Sequence, residues 1–309
     1  MRPQARIAEL FRAAGCAGSV SVQRIDAEGE LHVDADETVV LASVLKLPIA
    51  LELAAQAAGG RIDAARAVTV PAAGRTPGPS GLSVLRDDVT MSLRDLALMM
   101  MSVSDNAATD AVLDAVGLDA VNARLRALGL RGTVVLGGIR AMIDRTARDL
   151  GFPTWEALSE AQAGRLGPAE RLRSLDRARM AASREVDPEH ASRTTARELG
   201  SLIRMIWRDE AAPPAACAET RRLMGAQVNR DRTLSAFGDE ARVSAKSGSL
   251  IGVVRNEVAA VEYPDGSSYA VAVFTRALEP FRRQEDINRA IGAAARHGIG
   301  ALRGDPVPD

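Results

Sequence analysis

Residues 241–275 read ARVSAKSGSL IGVVRNEVAA VEYPDGSSYA VAVFT, and this stretch decides the fold. Ala241–Ser247, Val253–Tyr263 and Ser268–Thr275 are short runs rich in Val, Ala and Tyr, the pattern of strands. Pro264-Asp265-Gly266 between the last two reads as a hairpin turn. After them Ile287, Ala290, Ile291 and Ala294 recur at helical spacing and predict a closing helix. At the other end, Ile7, Leu10, Phe11 and Ala14 mark an amphipathic first helix, and Val20–Ile25 and Leu31–Asp36 alternate as two strands.

The segments between are mostly helical. Ser43–Ala58 is apolar on nearly all sides and predicts a central buried helix, with Pro48 tolerable only near its first turn. Pro71–Gly81 reads as a loop. Ser92-Leu93-Arg94-Asp95 and Thr195-Ala196-Arg197-Glu198 read as helix starts of the capping-box kind. Leu199, Leu202, Ile203 and Ile206 form one apolar stripe behind the second. Ala107–Val116 and Asp119–Leu128 each precede a glycine stop, and Thr154–Gln162 and Pro168–Ala182 read as further helices. Strands near both termini with helices between them predict an α/β (α+β) chain. An antiparallel sheet lobe flanked by the terminal helices (1–42 and 231–309) surrounds an all-helical second lobe (43–230).

Composition narrows the function. The chain has 309 residues and a net charge of -1, so neither a nucleic acid nor an anionic membrane is an expected partner. The N-terminus carries charges where a signal peptide needs an apolar run, and no 18-residue apolar segment occurs, which predicts a cytoplasmic protein. Cys16 and Cys217 do not make a disulfide framework. His32, His190 and His297 lack ligand spacing, so no metal and no cofactor is expected. Oligomeric state is left open.

Of 39 basic residues, only Lys46 and Lys246 are lysines. The arginine bias itself reflects coding composition. A lysine, unlike an arginine, can lose its proton in a dry pocket and act as a base. Lys46 closes Ser43-Val44-Leu45-Lys46, which on a helix places hydroxyl and amine on one face. Such a serine is a candidate nucleophile, with the helix N-terminus and a backbone N–H to favour an oxyanion. Alone, the spacing also fits a helix cap and a surface lysine. Ser104-Asp105-Asn106 adds a hydroxyl able to relay a proton and an amide able to hold a substrate carbonyl or the lysine. It also fits an ordinary helix-breaking loop. Lys246-Ser247-Gly248 ends a strand, where Lys246 can hold a carboxylate or tune Ser104 and Gly248 permits close approach of a substrate backbone. A plain strand-end turn is the alternative.

Together and in this order, the three triplets resemble the penicillin-recognising serine enzymes, class A β-lactamases in particular. Val89–Leu96 leading into Ser104–Thr109, Ser192-Arg193-Thr194-Thr195, and Gly252–Glu257 extend the likeness over nearly all the chain except about 131–190. The resemblance implies Ser43 as acylated nucleophile, Lys46 as its base and Ser104 as proton relay to the leaving nitrogen. It implies that Asn106 binds a substrate amide, and that Lys246 and Ser247 hold a substrate carboxylate with Arg255 as a bidentate fork. The N–H groups of Ser43 and Ser249 form the oxyanion hole. The implied partner is a small molecule bearing a carboxylate.

One departure stands out. The family's omega-loop Glu-x-x-x-Asn, which activates the deacylating water, is missing. Counting back from Thr194-Thr195 puts its position near Met180. Glu185 is the nearest candidate base, and Glu185, Glu156 and Glu160 read as surface carboxylates first. Residues 131–192 hold an insertion of some forty residues relative to the family's usual loop, readable as a helical lid. These features leave two catalytic expectations, a β-lactam hydrolase and an esterase, amidase or acyltransferase. A non-catalytic binding or sensor module is the third.

Overall fold

The computed structural model describes residues 2–163, 179 and 181–305. In chain order the elements are α1 (Pro3–Ala14), β1 (Cys16–Arg24), β2 (Glu30–Val33), β3 (Thr38–Val40), α2 (Lys46–Ala58), β4 (Ala67–Val70) and β5 (Val89–Ser92). Then follow α3 (Leu93–Ser102), α4 (Asn106–Val116), α5 (Leu118–Ala127), α6 (Ile139–Asp149), α7 (Trp155–Ala163) and β6 (Arg193–Thr195). The chain ends with α8 (Ala196–Trp207), α9 (Pro214–Gly225), α10 (Thr233–Phe237), β7 (Arg242–Leu250), β8 (Val254–Glu262), β9 (Ser268–Ala277) and α11 (Gln284–Arg303). The predicted helix at Pro168–Ala182 and the position near Met180 fall largely or wholly outside the described residues.

β7, β8 and β9 run consecutively and β1 and β2 join them, in the order β2-β1-β9-β8-β7 with every pairing antiparallel. Helices cover both faces, which explains why β8 and β9 are buried almost throughout rather than on alternate residues. On β9, Tyr269, Val271 and Val273 pack with Ile7, Phe11, Ile287 and Ile291 of the terminal helices. Ala270, Ala272 and Phe274 point the other way, into the core shared with Leu199, Leu202, Ile203 and Ile206 of α8 and with α2. Burying the four α8 side chains is worth roughly 1.5–3 kcal/mol each before chain entropy is counted.

The local signals act as their chemistry requires. Ser92 Oγ accepts from Asp95 N at 3.2 Å and Thr195 Oγ1 from Glu198 N at 3.1 Å, so each caps the helix that follows. Pro48 is the third residue of α2, within its first turn, where proline is tolerated. Lys46 through Gln56 are buried along this helix, placing it at the molecule's centre. The chain also forms two-stranded ribbons, β3 with β6 and β4 with β5, that the sequence reading did not include. Their three- and four-residue strands are too short for alternation to register. Among the described residues both cysteines are free and buried, and no helix is long and apolar enough to cross a membrane.

Candidate active site

Ser43 lies not in α2 but in a 3-10 turn, Ala42–Leu45, that runs directly into it. In a 3-10 turn residues i and i+3 eclipse, so Ser43 and Lys46 share a face more closely than α-helical geometry would give. Ala42, just before the serine, has a left-handed backbone (φ 47°), a strained conformation for a residue with a side chain. Ser43 is partly exposed, and its hydroxyl makes no hydrogen bond among the described residues. It therefore stands open to a small molecule.

Lys46 is fully buried. Its Nζ donates to Ser104 O at 2.6 Å, lies 3.1 Å from Ser104 Oγ and donates to Asn106 Oδ1 at 3.0 Å. Burial first, then the neighbouring ammonium of Lys246, push its pKa well below the ordinary lysine value; the Asp105 and Asp110 carboxylates pull the other way. Lys246, also fully buried, is brought in by β7. Its Nζ lies 3.2 Å from Ser104 Oγ and 2.8 Å from its own neighbour's carbonyl, Ser247 O. Burial, then the Arg232 cation, lower its pKa to about 7, partly offset by Glu257. One hydroxyl thus sits between two amines, each of which gives up its proton more easily than a free lysine.

Ser104 holds that place at a conformational cost, with φ 59° in the left-handed region. The turn is fixed by Asp105, which is buried and caps α4 by accepting from Ala107 N (2.9 Å) and Ala108 N (3.2 Å). Its other oxygen accepts from Leu82 N at 2.5 Å. A side chain at Gly81, itself at φ 65°, would lie 2.2 Å from that oxygen. Asn106 Nδ2 donates to Pro77 O at 2.9 Å. Both ends of this amide are therefore engaged within the chain, one on the lysine. Of the two uses foreseen for it, the structure shows the hold on Lys46.

The glycine of the third triplet also meets a requirement within the chain itself. A Cβ at Gly248 would stand 3.1 Å from Val44 N and 3.2 Å from both Ser43 N and Leu41 O. The nucleophile's own turn already packs against this strand. Asn256 secures the turn from behind by donating to Val40 O (2.7 Å) and Leu41 O (3.3 Å). Ser247 N donates to Gln227 Oε1 at 2.5 Å, and Gln227 Nε2 to the buried Glu257 at 3.1 Å.

Arg255 does not present a free fork. Its Nε donates to Gln284 Oε1 (2.5 Å) and its Nη1 to Asn288 Oδ1 (2.9 Å), both on α11. The sequence reading missed a second guanidinium, Arg232, which is 1% exposed. It donates to Gly248 O (2.9 Å), Asn256 O and Ser249 Oγ (2.6 Å). Its Nε donates to the same Asn288 Oδ1 at 3.0 Å. No signal marked it, since it is one arginine among many.

Glu185 is corrected from a surface carboxylate to a buried one, 1% exposed. Arg145 of α6 binds both of its oxygens, Oε1 through Nε and Oε2 through Nη2 at 3.2 Å. Burial of the carboxylate without a cation would cost several kcal/mol, which is why the insertion's helix supplies one. The adjoining Val186 joins Val40, Ala42 and Val253 in one apolar cluster, so the segment packs near the serine turn. Glu185 itself makes no hydrogen bond to Ser43 or Lys46 among the described residues. Glu156 pairs with Arg140 and is half-buried, and Glu160 is exposed.

Comparison with known proteins bears on the family and the fold. Residues 2–299 match the model of the beta-lactamase enzyme family. A curated relative from Streptomyces cacaoi, the beta-lactamase regulatory protein BlaB, is 31% identical over 313 residues, covering 96% of each chain. Among solved structures, a beta-lactamase from Sphaerobacter thermophilus superposes with a TM-score of 0.76 at 22% identity, covering 99% of this chain and 98% of that one. PBP-A, in its L158E mutant as an acyl-enzyme with penicillin G, gives 0.71 at 20% identity, covering 98% and 96%. At such identities these structures speak for the fold, while the family model and the curated relative carry the assignment. By the family model over nearly the whole chain and the curated relative at 31% identity, this chain belongs to the beta-lactamase enzyme family and is a serine β-lactamase-like hydrolase.

Proposed function

We propose that the protein forms an acyl-enzyme at Ser43 with a β-lactam or a related amide or ester that carries a carboxylate. The observation that carries this reading is the position of Ser104 Oγ, 3.1 Å from Lys46 Nζ and 3.2 Å from Lys246 Nζ, beside the turn that bears Ser43. Neutral Lys46 takes the Ser43 proton as the oxygen attacks the acyl carbon. The carbon–nitrogen bond then breaks, and the proton returns through Ser104 to the leaving nitrogen. Lys246 and Ser247 hold the substrate carboxylate, and the N–H groups of Ser43 and Ser249 hold the oxyanion.

Deacylation needs a base for water, and Glu185, the carboxylate the sequence offered for it, is already bound by Arg145. This supports slow release. It also favours a second reading, in which a long-lived adduct serves as a signal, and the name of the Streptomyces cacaoi relative points the same way. An esterase, amidase or acyltransferase would instead release its acyl group to an acceptor other than water.

Intact mass after incubation with benzylpenicillin or a chromogenic cephalosporin tests all of these. Adduct and turnover support hydrolysis, a persistent adduct supports the sensor, and release by an added amine or thiol supports acyl transfer. Absence of any adduct in the wild type, under conditions where the protein is folded, overturns β-lactam recognition. The Lys46→Arg variant is expected to keep its fold and lose acylation.

A further inference from the structure

A cavity of about 510 Å³ lies behind the serine turn, outside the residues assigned to catalysis above, between the edge of β3 and the adjoining ends of β1, β8 and β9. That volume is in the range of small-molecule sites. Its bed is apolar, made by Val40, Val186, Val254 and Phe274. Alternation along β1 sends Val20 and Val22 to the terminal helices and Ser19 to the opposite side, opposite Phe274 in the register. Ser19 is only 6% exposed and lines the cavity. Its hydroxyl makes no hydrogen bond among the described residues and, although the residue is largely buried, the oxygen keeps accessible surface toward the cavity.

The rim is acidic. Asp34 and Glu37 line the cavity, and neither carboxylate has an ion-pair or hydrogen-bond partner among the described residues. Most carboxylates around them are paired: Asp36 and Glu30 hold Arg197, and Asp26 holds Arg24. Arg276 also reaches the rim, but its Nη1 donates to Val186 O. Two carboxylates against one engaged guanidinium leave an excess of negative charge above an apolar bed, with one hydroxyl waiting on the wall.

We propose that this cavity is a binding site for a small organic cation, an ammonium group on an apolar body. The ammonium meets Asp34 and Glu37 at the rim, the body covers the valines and Phe274, and Ser19 supplies one hydrogen bond inside. The site is independent of the reaction at Ser43. It nonetheless borders Asn256, the residue that holds Val40 O and Leu41 O ahead of the nucleophile.

The test is calorimetric and NMR titration of the full chain with 2-phenylethylammonium, 2-phenylethanol and phenylacetate, repeated in Ser43→Ala. The ammonium compound is expected to bind at least about tenfold more tightly than the alcohol, and phenylacetate more weakly still. Asp34→Asn with Glu37→Gln is expected to remove that preference while the melting temperature holds, because both side chains are exposed. Ser43→Ala is expected to bind like the wild type. Equal binding of ammonium and alcohol, no binding of any probe, or an undiminished preference in the doubly neutralised variant overturns the proposal. Loss of binding in Ser43→Ala would assign the probe to the catalytic cleft and overturn it equally.

Discussion

Lys46 and Lys246, 200 positions apart in a chain with no other lysine, bring their amines to the same atom, Ser104 Oγ, at 3.1 and 3.2 Å. Two full positive charges on one buried hydroxyl would repel strongly, so the arrangement favours a state in which at least one amine is neutral. A proton taken from Ser43 can then be carried by a group that did not hold one at the start.

The first consequence concerns stability against pH. Lys246 titrates at about 7 in the folded chain against an ordinary 10.5, so above about 7 the unfolded chain binds more protons than the folded one. The stability deficit is full below 7 and shrinks as pH rises, and Lys46 shifts in the same direction. Melting temperature is therefore expected to rise between about pH 7 and 8.5, below the range where the buried Cys16 thiol works against it. Replacing Lys246 with Met should flatten that slope. A slope identical to the wild type's would refute the assignment.

Ser104→Ala removes the atom the two amines share. Acylation of Ser43 is expected to slow by roughly 10²–10⁴-fold, the range for losing a positioned proton-transfer group. Time-resolved intact mass with benzylpenicillin reads the rate directly. If the rate changed less than about threefold, Ser104 would not be the relay.

Gly248→Ala places a methyl 3.1 Å from Val44 N and 3.2 Å from Ser43 N. These are backbone atoms of a short turn and cannot swing aside as a flexible side chain would. The turn is expected to shift by a few tenths of an ångström, slowing acylation by about tenfold or more with modest loss of stability. Wild-type acylation with unchanged melting would show that the turn tolerates the methyl.

Arg145→Met strands the Glu185 carboxylate in a buried site and is expected to cost about 3–5 kcal/mol in urea unfolding. Adding Glu185→Gln should restore much of it, because an amide is far cheaper to bury than an unpaired charge. Glu185→Gln alone is expected to leave the lifetime of any acyl-enzyme within about twofold, since Arg145 already binds both oxygens. A much longer lifetime in that variant would make Glu185 the deacylating base after all.

Much of this was legible from residue order. The strands of the last third declared themselves by continuous apolar composition, and Ser92 and Thr195 announced their helices because capping is a local interaction. The lysines stood out only because arginine had filled every other basic position. That same saturation hid Arg232, whose burial behind β7 no local pattern encodes. Glu185 misled for a related reason. An acidic residue in a polar segment reads as surface until the partner that lets it be buried, here 40 positions away, is known.

The sequence by itself determined most of the helices, the strands of the main sheet and which side chains have the right chemistry, because periodicity, caps and turn residues act over a few neighbours. Only the tertiary structure decided how those groups are used: that Ser43 sits in a 3-10 turn, that Asn106 is spent on Lys46 and Pro77, and that Gly248 makes room for the nucleophile's backbone. Those facts depend on distances between residues far apart in the chain, and on burial that changes the energy of a charge, and neither quantity exists until the two lobes are packed together.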